Sequence, residues 1–419
     1  MKNNTDKMIV NSKILSNYEF IIEELGSMTL KSTIATSTAK LAKMGLNATK
    51  RSGSSLPGKL AQRIDPEIIS HLTDDKQVIL VTGTNGKTTT TALLSEMLRT
   101  EFEIVTNDSG ANMEQGLITS LILKGQNKDI AVLETDEVYV RKLSPQLTID
   151  YLVITNVFDD QVDRLGSKEQ TLQTILAGVK HQPQAKLVLN GDLELMHEID
   201  IENHQLFFGK DFANANYKLH DVSIGLNQSQ LKINDTALTA PFSGMYNMYN
   251  VAAAYAVAKE LGISDEHIAQ ALRNFKRIEG RQEVIHIAGK DVVFNLVKNT
   301  AGFNATLDVI KLDNRQKACV LAFNNKPADG EDMSWLDEAD FEQLANMSVT
   351  RTYYGGMYQK PLGERARRAG FDELIEFNSP EELLGYIKCE ENDVVHIVAN
   401  YTALYDIRNE FVKLGVIDE

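Results

Sequence analysis

Short apolar runs rich in β-branched residues recur along the chain, separated by segments in which apolar residues return at helical spacing. Val78-Ile-Leu-Val-Thr82, Ile130-Ala-Val-Leu133, Tyr151-Leu-Val-Ile154 and Leu187-Val-Leu189 read as buried strands. Thr88 to Leu98 and Gln170 to Val179 read as helices, and so does the Ala-rich stretch from Asn247 to Leu261, stopped at Gly262. Strands alternating with helices imply βαβ units and a largely parallel sheet. The alternation pauses around Ile278-Glu-Gly-Arg-Gln-Glu283 and then resumes. Val292 to Val297, Ala318 to Phe323, Val349 to Tyr354 and Val394 to Val398 are the strands of this second series.

The pattern divides the chain into a polar leader (residues 1–33), a first α/β domain (34–283) and a smaller, Rossmann-like α/β domain (284–419). The leader holds one apolar cluster, Tyr18 to Leu25, read as a helix. Thr36 to Met44 is amphipathic and Lys-containing, and Arg51-Ser-Gly-Ser-Ser-Leu-Pro-Gly58 reads as a loop.

A length of 419 residues agrees with two or three domains, and 43% hydrophobic residues supply ample core. The net charge of -15 leaves nothing broad and basic for nucleic-acid phosphates. An anion held by a few local cations and backbone amides remains compatible with it. The two cysteines, Cys319 and Cys389, lie far apart, which suits a reducing cytoplasm better than a disulfide framework. No signal-peptide pattern and no apolar run of membrane-spanning length is present. A soluble, cytoplasmic protein is expected. Eight histidines are scattered without metal-like spacing, and no Ser-His-Asp or Cys-His arrangement can be read.

The strongest chemical signal is a strand, then Gly83-Thr-Asn-Gly-Lys-Thr-Thr-Thr90, then a helix. Glycines let backbone amides approach phosphate oxygens, and the helix N-terminus adds a favourable dipole. Lys87 can reach the outer phosphates of a nucleotide, and the Thr88 hydroxyl can hold Mg²⁺. Only two residues separate Gly83 from Gly86, where the common phosphate loop has four before its Gly-Lys pair.

This compact loop resembles that of the Mur ligases, which join amino acids to peptidoglycan precursors through an acyl phosphate. The resemblance implies ATP binding by Gly83, Thr84, Asn85, Gly86, Lys87, Thr88 and Thr89. Leu133-Glu-Thr-Asp-Glu137 ends a strand where the family places a metal-binding glutamate, and Glu134 matches it. A carboxylate there can hold Mg²⁺ between nucleotide and acceptor. Thr155-Asn-Val-Phe-Asp-Asp-Gln-Val-Asp-Arg164 is similar to the family's Thr-Asn segment, with Gln161 where many members have a metal-binding histidine. Asn156 and Asp160 are then structural. Leu189-Asn-Gly-Asp192 resembles a further family motif. Gly244-Met-Tyr-Asn-Met-Tyr-Asn250 is similar to the family's nucleotide segment, with Tyr246 replacing histidine. It implies that Asn247 and Asn250 face ATP from one side of a helix. Arg281 fits the family's phosphate-contacting arginine.

The last third discriminates within the family. Phe294 to Asn304, Ala328-Asp-Gly-Glu-Asp-Met-Ser-Trp335 and Asn400-Tyr-Thr-Ala403 resemble the MurT family, the ligase-like subunits of lipid II isoglutaminyl synthase. The likeness implies a GatD-type glutaminase partner that releases ammonia. It further implies ATP-dependent amidation, at the inner face of the membrane, of the D-glutamate α-carboxyl in the lipid II stem peptide. It implies that one aspartate orients a histidine of the partner's glutaminase site. Asp332 is the choice by motif position, with Asp329 as the alternative. Lys298 falls near the γ-phosphate, with a buried structural lysine as its other reading. Thr300 replaces the family's usual proline.

Many MurT members insert a four-cysteine zinc ribbon. Gly209 to Pro241 contains no cysteine, so no zinc is expected, and Leu231 to Leu238 is a candidate metal-free hairpin. Two rivals stand beside amidation: a Mur-type amino-acid ligase acting without a partner, and a nucleotide-binding scaffold for a glutaminase.

Overall fold

Strand β1 (Gln77–Thr82) is buried along nearly all its length because both faces of its sheet are covered. Val78 and Leu80 enter one core, Ile79 and Val81 the other. The computed structural model describes residues 30–48, 55–107, 111–159, 166–330, 332–347, 349–371 and 373–417. Around β1 stand β2 (Ile104–Thr106), β3 (Ile130–Glu134), β4 (Tyr151–Ile154), β5 (Lys186–Asn190) and β6 (Gln205–Gly209). Beyond them lie β7 (Tyr217–Ser223), β8 (Ser229–Ile233) and β9 (Thr236–Ala240). The order is β2-β3-β1-β4-β5-β6-β7-β8-β9, parallel as far as β7 and antiparallel across the last two pairings. The β8–β9 hairpin contains the segment expected from Leu231 to Leu238.

Helix Met245–Glu260 is buried almost all round, and its alanines let it approach the sheet and helix Lys87–Leu98 closely. Helices Leu30–Ala48, Leu56–Ile64, Glu114–Lys124 and Lys168–Val179 cover the other face.

The second sheet comprises β10 (Arg281–Ile287), β11 (Lys290–Leu296), β12 (Lys317–Ala322), β13 (Val349–Gly355), β14 (Leu374–Glu376) and β15 (Val394–Ala399). Their order is β10-β11-β15-β12-β13-β14, parallel except for the β10–β11 pair. Phe294, Val320 and Ile397 face one core; Cys319, Leu321 and Val398 face the other.

The structure differs from the sequence reading in four places. Leu56, Pro57 and Gly58 form the first turn of a helix rather than a loop, since proline's fixed φ suits that turn. Helix Leu30–Ala48 begins inside the leader expected at residues 1–33, and the Tyr18–Leu25 cluster lies outside the described residues. The expected boundary between residues 283 and 284 falls within β10. Parallel pairing also sets Cys319 beside His396, with Asp313 Oδ2 at 3.4 Å from the imidazole Nε2. Burial pushes the Cys319 thiol up to about 12, so this thiol is inert packing.

Candidate nucleotide and acceptor site

In an open parallel sheet, ligands bind at the carboxyl ends of strands where the order reverses, here between β3, β1 and β4. The loop Gly83–Gly86 occupies that position. Gly83 and Gly86 have φ of +126° and +86°. A Cβ on Gly83 would lie 2.4 Å from Thr155 Oγ1, and one on Gly86 would lie 2.2 Å from Asn250 Oδ1. Both positions therefore require glycine on conformational and steric grounds.

The β4 terminus clamps the loop. Asn85 N donates to Asn156 Oδ1 at 2.9 Å, Asn156 Nδ2 donates back to Asn85 O at 2.9 Å, and Thr155 Oγ1 donates to the same carbonyl at 2.7 Å. Phe158 N donates to Thr84 Oγ1 at 3.0 Å. Asn156 is thus structural, as expected. Asp160 and Gln161 lie outside the described residues.

Lys87 is 9% exposed and opens helix Lys87–Leu98. Its ammonium folds back onto its own loop, donating to Gly83 O and, at 3.1 Å, to Glu137 Oε1. Burial opposes its charge, but Glu137, Glu134 and Asp136 outweigh that and hold the ammonium above its usual range. Burial also works against ionised Glu137, yet Lys87 and Lys298 keep its carboxyl below the ordinary range. Lys298 therefore belongs to this electrostatic group. Glu137 was missed as a site residue, although Asp136 side-chain capping of helix Glu137–Leu143 fixes where it points. Its signal was an acid three residues beyond Glu134, at the first position of the helix that follows the strand.

Glu134 is 5% exposed, and its backbone is held by Asn107 through paired bonds of 2.8 and 2.9 Å. Its carboxylate accepts from Asn112 Nδ2 at 3.1 Å. Thr88 and Glu134 line one cleft of about 370 Å³, together with Asn107, Arg99, Phe275 and Lys276. Among the described residues no group of three or more His, Cys, Asp or Glu could hold a metal. One carboxylate and one hydroxyl nevertheless fit Mg²⁺, which keeps several waters and takes phosphate oxygens as ligands.

Arg281, the first residue of β10, donates from Nη2 to Thr88 Oγ1 at 3.0 Å and so brings the second sheet to the loop. Asn85 Nδ2 reaches Asn299 Oδ1 at 3.2 Å, a second tie between the sheets. Thr89, Tyr246, Asn247 and Arg281 line a smaller cavity of about 60 Å³. Asn247 and Asn250 are joined to each other at 3.2 Å, and Asn250 Oδ1 accepts from Thr90 Oγ1 at 3.3 Å. Asn250 thus supports the loop from beneath, a role that helix spacing alone does not reveal. Asp192, in the Leu189–Asp192 motif, accepts from the backbone of Lys210, Asp211 and Phe212 and from Tyr249.

The two candidate acids after β12 differ sharply. Asp329 is 7% exposed, and its oxygens accept from Thr402 N at 2.7 Å and Thr402 Oγ1 at 2.5 Å. Asp332 is exposed, accepts from Ser334 N at 2.8 Å, and is held below the ordinary aspartate range by that bond.

Comparison with known proteins follows the same line. Residues 81–258 match the Mur ligase middle domain, and residues 296–404 match the MurT ligase C-terminal family. The chain is 31% identical to a Streptococcus pneumoniae protein named lipid II isoglutaminyl synthase (glutamine-hydrolyzing) subunit MurT, over 93% of this chain and 99% of that one. A Staphylococcus aureus protein of the same name is 29% identical over 79% of this chain and 86% of its own. Among solved structures, the MurF ligase from Thermotoga maritima in complex with ADP superposes with a TM-score of 0.69 at 20% identity, covering 84% of each chain. MurF from Acinetobacter baumannii superposes with a TM-score of 0.71 at 17% identity, over 88% of this chain and 82% of that one. These likenesses establish a shared fold.

Proposed function

This chain belongs to the MurT family of Mur-type ligases, and we propose from that premise that it is the synthetase subunit of a lipid II isoglutaminyl synthase. The Mur ligase middle domain implies ATP-dependent ligation, and the relatives' naming as a subunit implies a partner chain. The reaction is amidation of the D-glutamate α-carboxyl of the lipid II stem peptide. A carboxylate oxygen attacks the γ-phosphorus of ATP, ADP departs, and an acyl phosphate forms. Ammonia then attacks the acyl carbon and phosphate leaves, carrying away the oxygen that was hard to expel. Ammonia comes from glutamine hydrolysed by a GatD-type partner. The work takes place at the inner face of the membrane, where lipid II is anchored.

The observation that carries this reading is the preorganised loop beside the cleft that Thr88 and Glu134 share. The backbone of Gly83, Thr84, Asn85 and Gly86, continued by Thr88 and Thr89, receives the phosphates. Lys87 neutralises charge developing on the transferred phosphoryl group. Thr88 and Glu134 would hold Mg²⁺, which when bound polarises phosphate oxygens. Arg281 orients the Thr88 hydroxyl, while Asn247 and Asn250 set the height of the loop. Lys298 adds positive potential beside Glu137. The exposure of Asp332 supports its assignment to the partner's histidine, because the oxygens of Asp329 are already occupied by Thr402. The second α/β unit, which carries Asp332, is accordingly read as the partner-facing half.

Purified chain and partner, given ATP, Mg²⁺, glutamine and lipid II, should form the D-isoglutamine amide. An amino-acid adduct would instead identify a partner-independent ligase. No ATP turnover would leave a nucleotide-binding scaffold.

A further inference from the structure

We infer that the helical pair Leu30–Ala48 and Leu56–Ile64 is an interfacial element that seats the chain on an anionic lipid surface. Helix Leu30–Ala48 has two unlike faces. On one, Ser32, Ala35 and Ala39 are fully buried, and Ser32 Oγ donates to Asp65 Oδ2 at 2.6 Å. On the other, Leu30, Ile34, Leu41 and Met44 are 74%, 50%, 67% and 66% exposed. At 3.6 residues per turn these four fall within an arc of about 80°. Single exposed apolar residues are ordinary, but four on one arc of one helix form a patch that calls for a partner surface. Leu56, on the adjoining helix, adds to it at 44% exposure.

Charge identifies the occupant. Every charged residue from Leu30 to Ile64 is Lys or Arg, in a chain whose net charge is -15. Lys31, Lys40, Lys59 and Arg63 are exposed around the apolar arc. Neutral Thr33, Ser37 and Thr38 share this face, but its charged neighbours on the helix are cations alone. An apolar stripe so flanked is the pattern of a helix lying in a membrane interface, where acyl chains take the stripe and anionic headgroups the cations. A second copy of the chain would bring like charges face to face.

The element is also linked to the lining of the cleft. Gln62 Nε2 donates to Glu114 Oε1 at 2.5 Å, Glu114 opens its helix shortly after Asn112, and Asn112 holds the Glu134 carboxylate. On the reading that the acceptor is a membrane-anchored lipid, this placement brings the reacting carboxyl and the cleft to the same surface.

Flotation of the full chain with its glutaminase partner tests the inference, using phosphatidylglycerol/phosphatidylcholine vesicles against phosphatidylcholine alone, without ATP or lipid II. Binding should appear only with phosphatidylglycerol and weaken as salt is raised. Lys31→Glu with Lys40→Glu, and separately Ile34→Glu with Leu41→Glu, should each lower the partition at least tenfold. Both should amidate a water-soluble, short-chain lipid II analogue at the unaltered rate. Absence of wild-type binding, equal binding to both vesicle types, or variants that float like wild type would overturn the inference. So would an apolar-arc variant that changed only the oligomeric state. Vesicle binding without any amidation would sink the enzymatic reading and leave the docking element standing.

Discussion

The loops that leave β1 and β12 stand at the carboxyl ends of the two sheets and are built on opposite plans. The Gly83–Gly86 loop is clamped along its length by Thr155, Asn156 and Asn250, so its amides are fixed before any ligand arrives. The loop after β12 is tied down as far as Asp329. Asn324 N donates to Asn400 Oδ1 at 3.0 Å, Asn400 Nδ2 donates back to Asn324 O, and Asp329 is locked onto Thr402. Three residues on, Asp332 is exposed. A group that must receive charge from a bound nucleotide gains from rigidity on all sides, because reorganisation would cost transition-state stabilisation. A group that must enter another chain's site needs a fixed base and an open tip.

Breaking the open tip should give the largest effect. Asp332→Asn is expected to lower glutamine hydrolysis by the partner by about 10⁴-fold, the scale on which loss of an imidazole-orienting acid acts. Amidation should return when ammonia is supplied directly. Normal glutaminase rates in this variant would move the role elsewhere. In the clamped loop, Lys87→Ala should lower amide formation roughly 10²–10³-fold even with ammonia supplied, while the complex still assembles on size-exclusion chromatography. That variant also strands buried Glu137 and should cost about 3 kcal/mol of stability by denaturant titration. Adding Glu137→Gln should restore most of the stability and none of the activity.

The same pair predicts a pH dependence. The Glu137 carboxyl is held below its ordinary value of 4.5 in the folded chain. Its contribution is fully present above that value and is lost as pH falls through the lower, folded one. Acid unfolding followed by circular dichroism should therefore be shallower on the acid side in Glu137→Gln than in wild type. The smallest effect belongs to the locked acid. Asp329→Asn should cost about 1–2 kcal/mol through its bonds to Thr402 and leave ammonia-dependent amidation near normal. A tenfold fall in that activity would show that the base of the loop matters beyond support.

How legible each loop was in the sequence follows the same division. The Gly83–Thr90 loop is a local motif whose glycines, lysine and threonines are contiguous, so the strand-loop-helix unit and its two obligatory glycines were legible in the sequence. Buried strands such as Val78 to Thr82 were equally plain, since both faces are apolar. Glu137 was quoted within its motif but not chosen, because its partner Lys87 lies fifty residues away in sequence. The long-range ties Arg281–Thr88 and Asn85–Asn299 are likewise invisible without the fold. Short strands such as β2 and β14, three residues each, carry too little periodicity to be read. Motif position favours Asp332 over Asp329 in the sequence, but their difference in burial is visible only in the fold. The stretch Thr36 to Met44 reads as amphipathic in the sequence, but where helix Leu30–Ala48 begins and which of its apolar residues are buried depend on packing against helices Leu56–Ile64 and Glu114–Lys124.

Calorimetric titration of Mg·ATP into the chain bound to its partner bears most directly on the claim that the β1 loop grips a nucleotide's phosphates. Saturable binding is expected for wild type and for Asp332→Asn, with affinity at least tenfold weaker in Lys87→Ala. Absence of binding to wild type, or equal affinity in Lys87→Ala, would contradict it.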